Sequence, residues 1–257
     1  MEGELTTGSE GEIARRADKA KAMTESLVAR GVRAVALSQV DNAGVTRVKT
    51  VPVSLLERAV RYGIGMSPVF EVFMVNDSIT SSDEVSGPVG DLRLMPDPWA
   101  LKILAAQPGW AWAPVDKHTQ EGEVYPGCQR TFAKHQAARA AEAGIELRMT
   151  FELEWFQASV DSEIDNPIHR GPAYGLSVLA TTSDYARDLI AALEEEGVGV
   201  DQFHPEYAMG QLEVSVPPTD PVGAADTTVL VHQTIRAVAA THGMRASFSP
   251  VVIADHV

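Results

Sequence analysis

The sequence predicts an α+β fold, in which several short β-strands stand beside a few longer α-helices. Short apolar runs that are rich in β-branched residues and bounded by turn residues are typical of strands. Longer segments carry apolar residues at helical spacing between capping signals, as between Asp220 and Gly243. The chain shows no internal repeat, so we expect one or two ordinary domains.

The composition is that of a globular protein. The 257 residues are 45% hydrophobic and 22% charged, which is enough apolar material for a sizeable core. The formal net charge of −14 argues against a nucleic-acid partner. Residues 1–12 are polar and are expected to be disordered; they lack the apolar region of a signal peptide, and no later run predicts a membrane span. The single cysteine, Cys128, is expected to be a core residue of a cytoplasmic protein.

Residues 13–122 are predicted to form a small mixed domain. Apolar residues at helical spacing predict a helix over 13–28, and Gly31 ends it. Short runs bounded by turn residues then predict a hairpin made of strands 34–40 and 45–51. They also predict a short helix at 52–60 and three further strands at 63–66, 91–95 and 110–115. The glycines and proline of 116–127 predict a domain boundary.

Residues 123–257 are predicted to form a second domain. Its last helix has the clearest signals, because Asp220 is a good N-cap, Pro221 suits the first helical position and Gly243 follows the final turn. The remaining predicted elements, in order, are a helix at 128–143, a strand at 145–156, a loop at 161–175, a strand at 177–181, a helix that starts near Thr182 or Ser183 and ends at Gly197, and strands at 211–216 and 247–252.

Two acidic segments of this second domain carry the candidate chemistry. Glu152 and Glu154 share one face of a predicted strand, opposite Phe151, Leu153 and Trp155, because side chains alternate along a strand. Glu206 precedes, and Glu213 occupies, a second predicted strand. If the two strands are neighbours in one sheet, four carboxylates converge and repel one another unless a cation lies among them. Oxygen ligands suit magnesium or manganese.

Two alternatives to metal binding stay open for these segments. A Glu-x-Glu pair on a strand is often just the solvated face of an antiparallel sheet. Two carboxylates can also act as the acid and base of a glycoside hydrolase. The presence of four acids favours metal binding over either alternative, and two ions would suit phosphoryl transfer.

The same segments resemble the two metal-ligand motifs of the glutamine synthetase superfamily. Residues 151–156 are similar to the first motif, and 204–213, with a seven-residue step between their two glutamates, to the second. The resemblance runs from about residue 30 to the end and includes 41–51, 91–97, 220–243 and 246–250. It implies a β-grasp domain at 13–122, followed at 123–257 by the N-terminal part of a catalytic domain with an antiparallel sheet.

The resemblance implies an ATP-dependent ligase that joins glutamate to an amine through γ-glutamyl phosphate. Glu154, Glu206 and Glu213 would hold one Mg²⁺ or Mn²⁺ ion, and Glu152 would contribute to a second. Asp201, by its position relative to Glu206, would face the nucleotide. His204 would support the ligands without binding the metal. Full-length relatives form double-ring dodecamers, so a homo-oligomer is expected.

Two departures from the family pattern refine this expectation. Ser67 aligns with an ammonium-binding aspartate of the family, which favours the branch that uses polyamines, ethanolamine or similar amines. Two alternatives remain: Ser67 is a simple turn residue, or the chain belongs to an ammonia-using glutamine synthetase. The family's next motif, a Gly-rich segment ending in His-x-His, would begin after Val257. We therefore expect the 257-residue chain alone to be inactive or nearly so, with its catalytic residues elsewhere; a non-catalytic or regulatory subunit is the alternative.

Overall fold

The computed structural model describes residues 10–83, 87–161 and 166–253. The chain divides into two compact units. Unit 1 comprises Met1–Ile103 and Pro108–Leu147, and unit 2 comprises Leu104–Gln107 and Arg148–Val257. The architecture is α+β, as predicted. The domain boundary after residue 122 stays a prediction. The division into compact units places the end of unit 1 at Leu147 instead.

Unit 1 is built on one six-stranded sheet. Its strands are β1 (Ala34–Val40), β2 (Thr46–Pro52), β3 (Ile64–Met66), β4 (Leu92–Pro96), β5 (Lys102–Ile103) and β6 (Trp110–His118). The order is β2-β1-β6-β4-β3, with β5 paired to β6. Only the β1–β6 pair is parallel. Its helices are α1 (Glu10–Ala29), α2 (Leu56–Tyr62), which follows a 3₁₀ turn, and α3 (Gln129–Glu142).

The core of unit 1 is formed by apolar residues of its strands and helices. Val35 and Leu37 on β1 and Leu94 on β4 are buried, together with Leu56 and Val60 on α2. Burying these side chains supplies most of the driving force for the unit. The predicted hairpin, the short helix and the three further strands are confirmed. Helix α1 begins at Glu10, inside the start that was expected to be disordered; residues 1–9 lie outside the described residues.

Unit 2 is built on a four-stranded antiparallel sheet. Its strands are β7 (Glu152–Ser159), β8 (Gln202–Pro205), β9 (Gln211–Ser215) and β10 (Met244–Ser247), in the order β10-β7-β9-β8. Helices α4 (Leu176–Glu195) and α5 (Pro221–Thr241) complete the unit. The N-cap prediction is confirmed, because the Asp220 carboxylate accepts hydrogen bonds from the backbone N–H groups of Val222 and Gly223.

Three predictions about unit 2 are wrong. The strand expected at 177–181 is the first part of α4, because Val178, Thr182, Tyr185 and Leu189 are buried at helical spacing. The strand expected at 145–156 begins only at Glu152, and Phe151, expected in the core, is 50% exposed. The strand expected at 247–252 is β10, which ends at Ser247. Residues 162–165 of the expected loop lie outside the described residues.

Two further facts concern the helices and the single cysteine. None of the helices in the described ranges combines the length and the apolar character needed to cross a membrane. Cys128 is buried, and its sulfur accepts a hydrogen bond from the Lys117 backbone N–H. The expected core role of Cys128 therefore agrees with its surroundings.

Candidate metal centre

Glu213 lies at the middle of the candidate site because its strand is in the middle of the sheet of unit 2. Strand β9 pairs with β7 on one side and β8 on the other. Glu213 is directly opposite Glu154 in the first pair and His204 in the second. Residues opposite each other in an antiparallel pair project from the same face. The predicted adjacency of the two acidic strands is therefore confirmed, and an imidazole joins the carboxylates.

Glu206 reaches the same place through a tight turn. It follows β8, and its backbone N–H donates to the Gln211 carbonyl oxygen at 3.0 Å. Gly210 closes this turn with a φ of 76°. A Cβ atom there would lie 2.6 Å from the Pro167 Cβ and 2.8 Å from the Phe156 Cε2. Only glycine meets both requirements, so Gly210 fixes the separation between Glu206 and Glu213.

The site brings together three potential ligands, His204, Glu206 and Glu213. One donor atom from each lies within 4.8 Å of the others. The His204 Nδ1 is 3.1 Å from the Glu206 Oε1, and the His204 Nε2 is 3.6 Å from the Glu213 Oε1. Both carboxylates are buried, and no lysine or arginine in the described ranges forms an ion pair with either. Two buried acids that share one imidazole are short of positive charge.

Tyr174 adds a hydrogen bond to this group. Its hydroxyl donates to the Glu206 Oε1, and its ring stacks on His204 with 4.8 Å between centroids. The hydrogen bond to Glu206 raises the pKa of Tyr174 to about 12, so the phenol keeps its proton and remains a donor. Tyr174 has a φ of 55°, which is uncommon for a residue with a side chain. Such a backbone conformation is typical of residues held for a specific contact.

The electrostatics of Glu213 show that the carboxylates act on one another. Burial raises the pKa of the Glu213 carboxyl above its ordinary value, and the charges of Glu206, Glu152 and Glu154 act in the same direction. The neighbouring His204 opposes the rise. The unfavourable charge on Glu213 is the one that a bound cation would relieve.

Glu152 and Glu154 are on the expected face of β7 but outside the three-ligand group. Both are exposed, opposite Ser215 and Glu213 respectively. The Glu154 carboxylate accepts a hydrogen bond from the Gln211 side chain. Among the residues that the structure describes, the group defined by close donor atoms contains neither of them. Their assignment as metal ligands stays a prediction.

The three-ligand group fits a divalent cation. Ligand atoms that share one ion at about 2.0–2.5 Å can be no more than about 5 Å apart, and the observed limit is 4.8 Å. Two carboxylates favour magnesium or manganese, and an imidazole is a further ligand that transition metals accept.

The remaining predicted site residues are in simpler settings. Ser67 is the N-cap of a short 3₁₀ helix, where its hydroxyl oxygen accepts from the Val69 N–H and its O–H donates to the Pro88 carbonyl. This is the turn role that the sequence left open. Asp201 is exposed, and its backbone N–H donates to the Ser215 carbonyl. Neither residue has a contact that tests its expected substrate role.

His204 is a potential ligand to which the resemblance gave only a supporting role. The short strand β8, which brings its ring beside Glu206 and Glu213, was not predicted. The pattern His204-x-Glu206 carried a usable signal, since alternate residues on a strand project to one side. Tyr174 belongs to the predicted loop at 161–175, and its hydrogen bond to Glu206 places that end of the loop at the site.

Comparison with known protein families gives two matches that together span most of the chain. Residues 19–123 match the glutamine synthetase N-terminal domain, and residues 126–257 match the glutamine synthetase catalytic domain. The two matched ranges meet close to the boundary predicted after residue 122.

Individual proteins give the same picture. The chain is 51% identical over 253 residues to the γ-glutamylpolyamine synthetase GlnA3 of Streptomyces coelicolor, covering 97% of this chain and 53% of that protein. It is 26% identical to a γ-glutamylanilide synthase of an Acinetobacter species, covering 90% and 52% of the two chains. A crystal structure of a glutamine synthase homolog superposes with a TM-score of 0.80 at 28% identity, covering 88% and 53%. The chain spans about half the length of these relatives.

Proposed function

We infer the function of this chain from one premise: the chain belongs to the glutamine synthetase family. We propose that it carries the N-terminal half of an ATP-dependent ligase that joins the side-chain carboxylate of glutamate to an amine. The reaction would proceed through γ-glutamyl phosphate, because a carboxylate is a poor acyl donor until phosphorylation gives it a good leaving group. The observation that carries this proposal is the group of His204, Glu206 and Glu213, whose two carboxylates are buried and which fits a divalent cation.

Some residues of the chain would bind such an ion, and others would orient those ligands. Glu206 and Glu213 would supply oxygen ligands, and Tyr174 would fix the orientation of the Glu206 carboxylate through its hydroxyl. Ser215, whose hydroxyl donates to the Glu213 Oε1 at 3.3 Å, would do the same for Glu213. When bound, the ion neutralises charge that develops on a transferring phosphoryl group. Glu154 would complete this set, and Glu152 would contribute to a second ion.

We propose an amine larger than ammonia as the second substrate. The relative with 51% identity is named a γ-glutamylpolyamine synthetase, which supports a polyamine. Ser67 supports it too, because a serine there places no fixed negative charge near the amine, and ammonium needs such a charge more than a larger amine does. Glutamate, the amine and ATP would be the partners, within a cytoplasmic homo-oligomer.

Manganese titration tests the metal assignment directly. Calorimetry should detect one Mn²⁺ site in the 257-residue chain. Glu206→Gln and Glu213→Gln should each weaken binding by about tenfold or more, because each removes a charged ligand. Glu195→Gln, which removes an equal charge from an exposed position at the end of α4, should leave the affinity unchanged. Equal affinity in all four proteins would remove the metal assignment.

An amine panel tests the reaction. Phosphate release from ATP with glutamate is measured for the longest product of the gene and for the 257 residues alone, with ammonia, ethanolamine and putrescine. For the longer gene product, we expect phosphate release to depend on the presence of the polyamine. We expect none from the 257 residues, because Glu152 lies outside the one group of three ligands among the described residues. Equal rates with ammonia would contradict the amine assignment, and robust turnover by the short chain would contradict the expected inactivity.

A further inference from the structure

Unit 1 contains a cleft of about 900 Å³ whose charge is opposite to that of the chain. Four arginines line it, although the chain has a net charge of −14. They come from three elements, with Arg16 on α1, Arg58 and Arg61 on α2 and Arg93 on β4. We propose that this arginine cleft binds a small anion that carries several phosphate groups.

Three of the four guanidinium groups are weakly compensated. Arg58 is exposed and forms no ion pair with any residue in the described ranges. Arg61 has a single carboxylate neighbour, Glu57, one helical turn away at 3.5 Å. Arg93 donates to the Gln120 Oε1 at 3.1 Å, which is a neutral partner. Solvated i,i+4 pairs such as Arg61 with Glu57 contribute little, so these charges are available to a ligand.

Arg16 contributes a buried donor without an acceptor. Its side chain is only 17% exposed, and its Nη2 is held by the Pro96 carbonyl at 2.8 Å. Its Nε is buried and has no hydrogen-bond partner among the residues that the structure describes. Asp116 does not supply one, since it is 4.0 Å from the Arg16 Nη1 and already accepts from Arg130 and Lys134 at 2.8 and 2.6 Å. A ligand oxygen would satisfy this N–H, whose burial otherwise carries a cost.

The acidic residues of the cleft do not cancel this charge. Glu12 and Glu121 also line it. Both oxygens of Glu12 accept hydrogen bonds from the Arg15 side chain, at 2.9 and 3.0 Å, and Arg15 lies outside the lining. The lining therefore holds four arginines against two carboxylates, one of which is already paired, and the cleft keeps an excess of positive charge.

Size and donor type indicate the class of ligand. The planar guanidinium group matches phosphate oxygens with two parallel hydrogen bonds. Small-molecule pockets measure about 300–1,000 Å³, so a cleft of about 900 Å³ has room for more than a single phosphate. Four arginines spread over α1, α2 and β4 suit an anion with phosphates at several points. All the lining residues belong to unit 1, so this proposal is independent of the ligase assignment.

Calorimetric titration with inorganic tripolyphosphate tests the arginine cleft. The 257-residue chain is kept in EDTA, so that no metal ion in unit 2 can recruit the phosphate. We expect one tripolyphosphate per chain. The double variant Arg58→Gln/Arg61→Gln should raise the Kd by about tenfold or more, because both substitutions remove charge-assisted donors. Arg93→Gln should raise it by a smaller factor, and all three positions are accessible enough for the variants to fold.

Matched controls separate a site from general attraction to positive charge. Arg139→Gln removes one positive charge, as Arg93→Gln does, from an exposed position on α3 that does not line the cleft, and it should leave the Kd unchanged. Citrate, a tricarboxylate, should bind at least about tenfold more weakly than tripolyphosphate if the guanidinium groups select phosphate. The proposal is overturned if the unmodified chain does not bind tripolyphosphate, if Arg139→Gln weakens binding as much as the double variant, or if citrate binds equally well.

Discussion

The two units bury carboxylates in opposite ways. In unit 1, Asp116 lies between Arg130 and Lys134, at 2.8 and 2.6 Å, and Glu71 pairs with Lys117 at 2.7 Å with both side chains 3% exposed. In unit 2, Glu206 and Glu213 share the imidazole of His204 and have no lysine or arginine partner in the described ranges. In unit 1 these buried acids are paired with lysine or arginine, whereas in unit 2 Glu206 and Glu213 would need a bound cation for the same compensation.

The direction of the pKa shifts follows the same division. Burial raises the pKa of Asp116, but Lys134 and Arg130 outweigh it and hold that pKa below its ordinary value. Burial raises the pKa of Glu213, and the neighbouring glutamates raise it further. A buried acid with a lowered pKa is already compensated within the fold. A buried acid with a raised pKa lacks a compensating positive charge within the fold. The two pKa shifts therefore distinguish the compensated acid Asp116 from the candidate site acid Glu213.

The largest expected effect comes from removing a cation of unit 1. Arg130→Ala leaves Asp97 and Asp116, each 2.8 Å from its guanidinium group, with less compensation while they remain buried. We expect a loss of about 3 kcal/mol in the free energy of unfolding. Urea denaturation measures it, with Arg139→Ala on the same helix as the control that should change stability by less than about 0.5 kcal/mol. Similar losses in both variants would mean that the ion pairs of unit 1 are not structural.

Removing an acid of unit 2 should raise the free energy of unfolding rather than lower it. In EDTA at neutral pH, Glu213→Gln relieves repulsion among the four carboxylates, and we expect a gain of about 1 kcal/mol in the free energy of unfolding. Mn²⁺ should stabilise the unmodified chain and leave the variant almost unchanged. Asp116→Asn in unit 1 is the matched comparison and should be destabilising. A loss of stability in both variants would contradict the contrast between the units.

The two acids should also give opposite pH dependences. Because the folded pKa of Asp116 is below its ordinary value of 3.8, its stabilising effect is present above that value and is lost as the pH falls. Because the folded pKa of Glu213 is above its ordinary value of 4.5, its contribution is present at lower pH and is lost as the pH rises past that value. In urea denaturation across this range in EDTA, Asp116→Asn should lose a rise of stability with pH, and Glu213→Gln should lose a fall of stability with pH. Parallel slopes would contradict the assignment.

The smallest effect should come from the hydroxyl that holds Glu206. Tyr174→Phe removes its hydrogen bond but keeps the ring on His204. We expect Mn²⁺ affinity to fall by about two- to fivefold, since one neutral donor is lost from an exposed tyrosine. Tyr207→Phe is the control, because Tyr207 touches Glu206 through its backbone N–H, which the substitution keeps. An equal fall in both variants would show that the Tyr174 hydroxyl has no specific role.

Much of the fold could be predicted from the sequence because its signals were local. The cap at Asp220, the stop at Gly243 and the hairpin of residues 34–51 each depend on a few adjacent residues. The strand expected at 177–181 failed because β-branched residues there also suit a helix once Val178 and Thr182 pack inward, and only tertiary packing decides that.

The site shows the same limit. The expected convergence of the acids depended on the two acidic strands being neighbours, and β7 does pair with β9, with Glu154 opposite Glu213. The central place of His204 was not predicted, because β8 is only four residues long and lacks a clear alternation. The arginine cleft could not be predicted at all. Its four arginines are separated by up to seventy-seven positions between Arg16 and Arg93, and only the packed unit brings them to one surface.

The hairpin of β8 and β9 has a consequence for the order of events during folding. His204, Glu206 and Glu213 lie within ten consecutive residues, 204–213, joined by the turn at Gly210. Hairpins form in about 1–10 μs, whereas Glu154 must close a loop of about sixty residues before it meets Glu213. We therefore expect a divalent cation to speed refolding by binding the hairpin before the rest of the sheet assembles. Stopped-flow refolding followed by tryptophan fluorescence, with and without Mn²⁺, measures this. A chain that captures its ion first and completes its structure around it would refold faster with the metal.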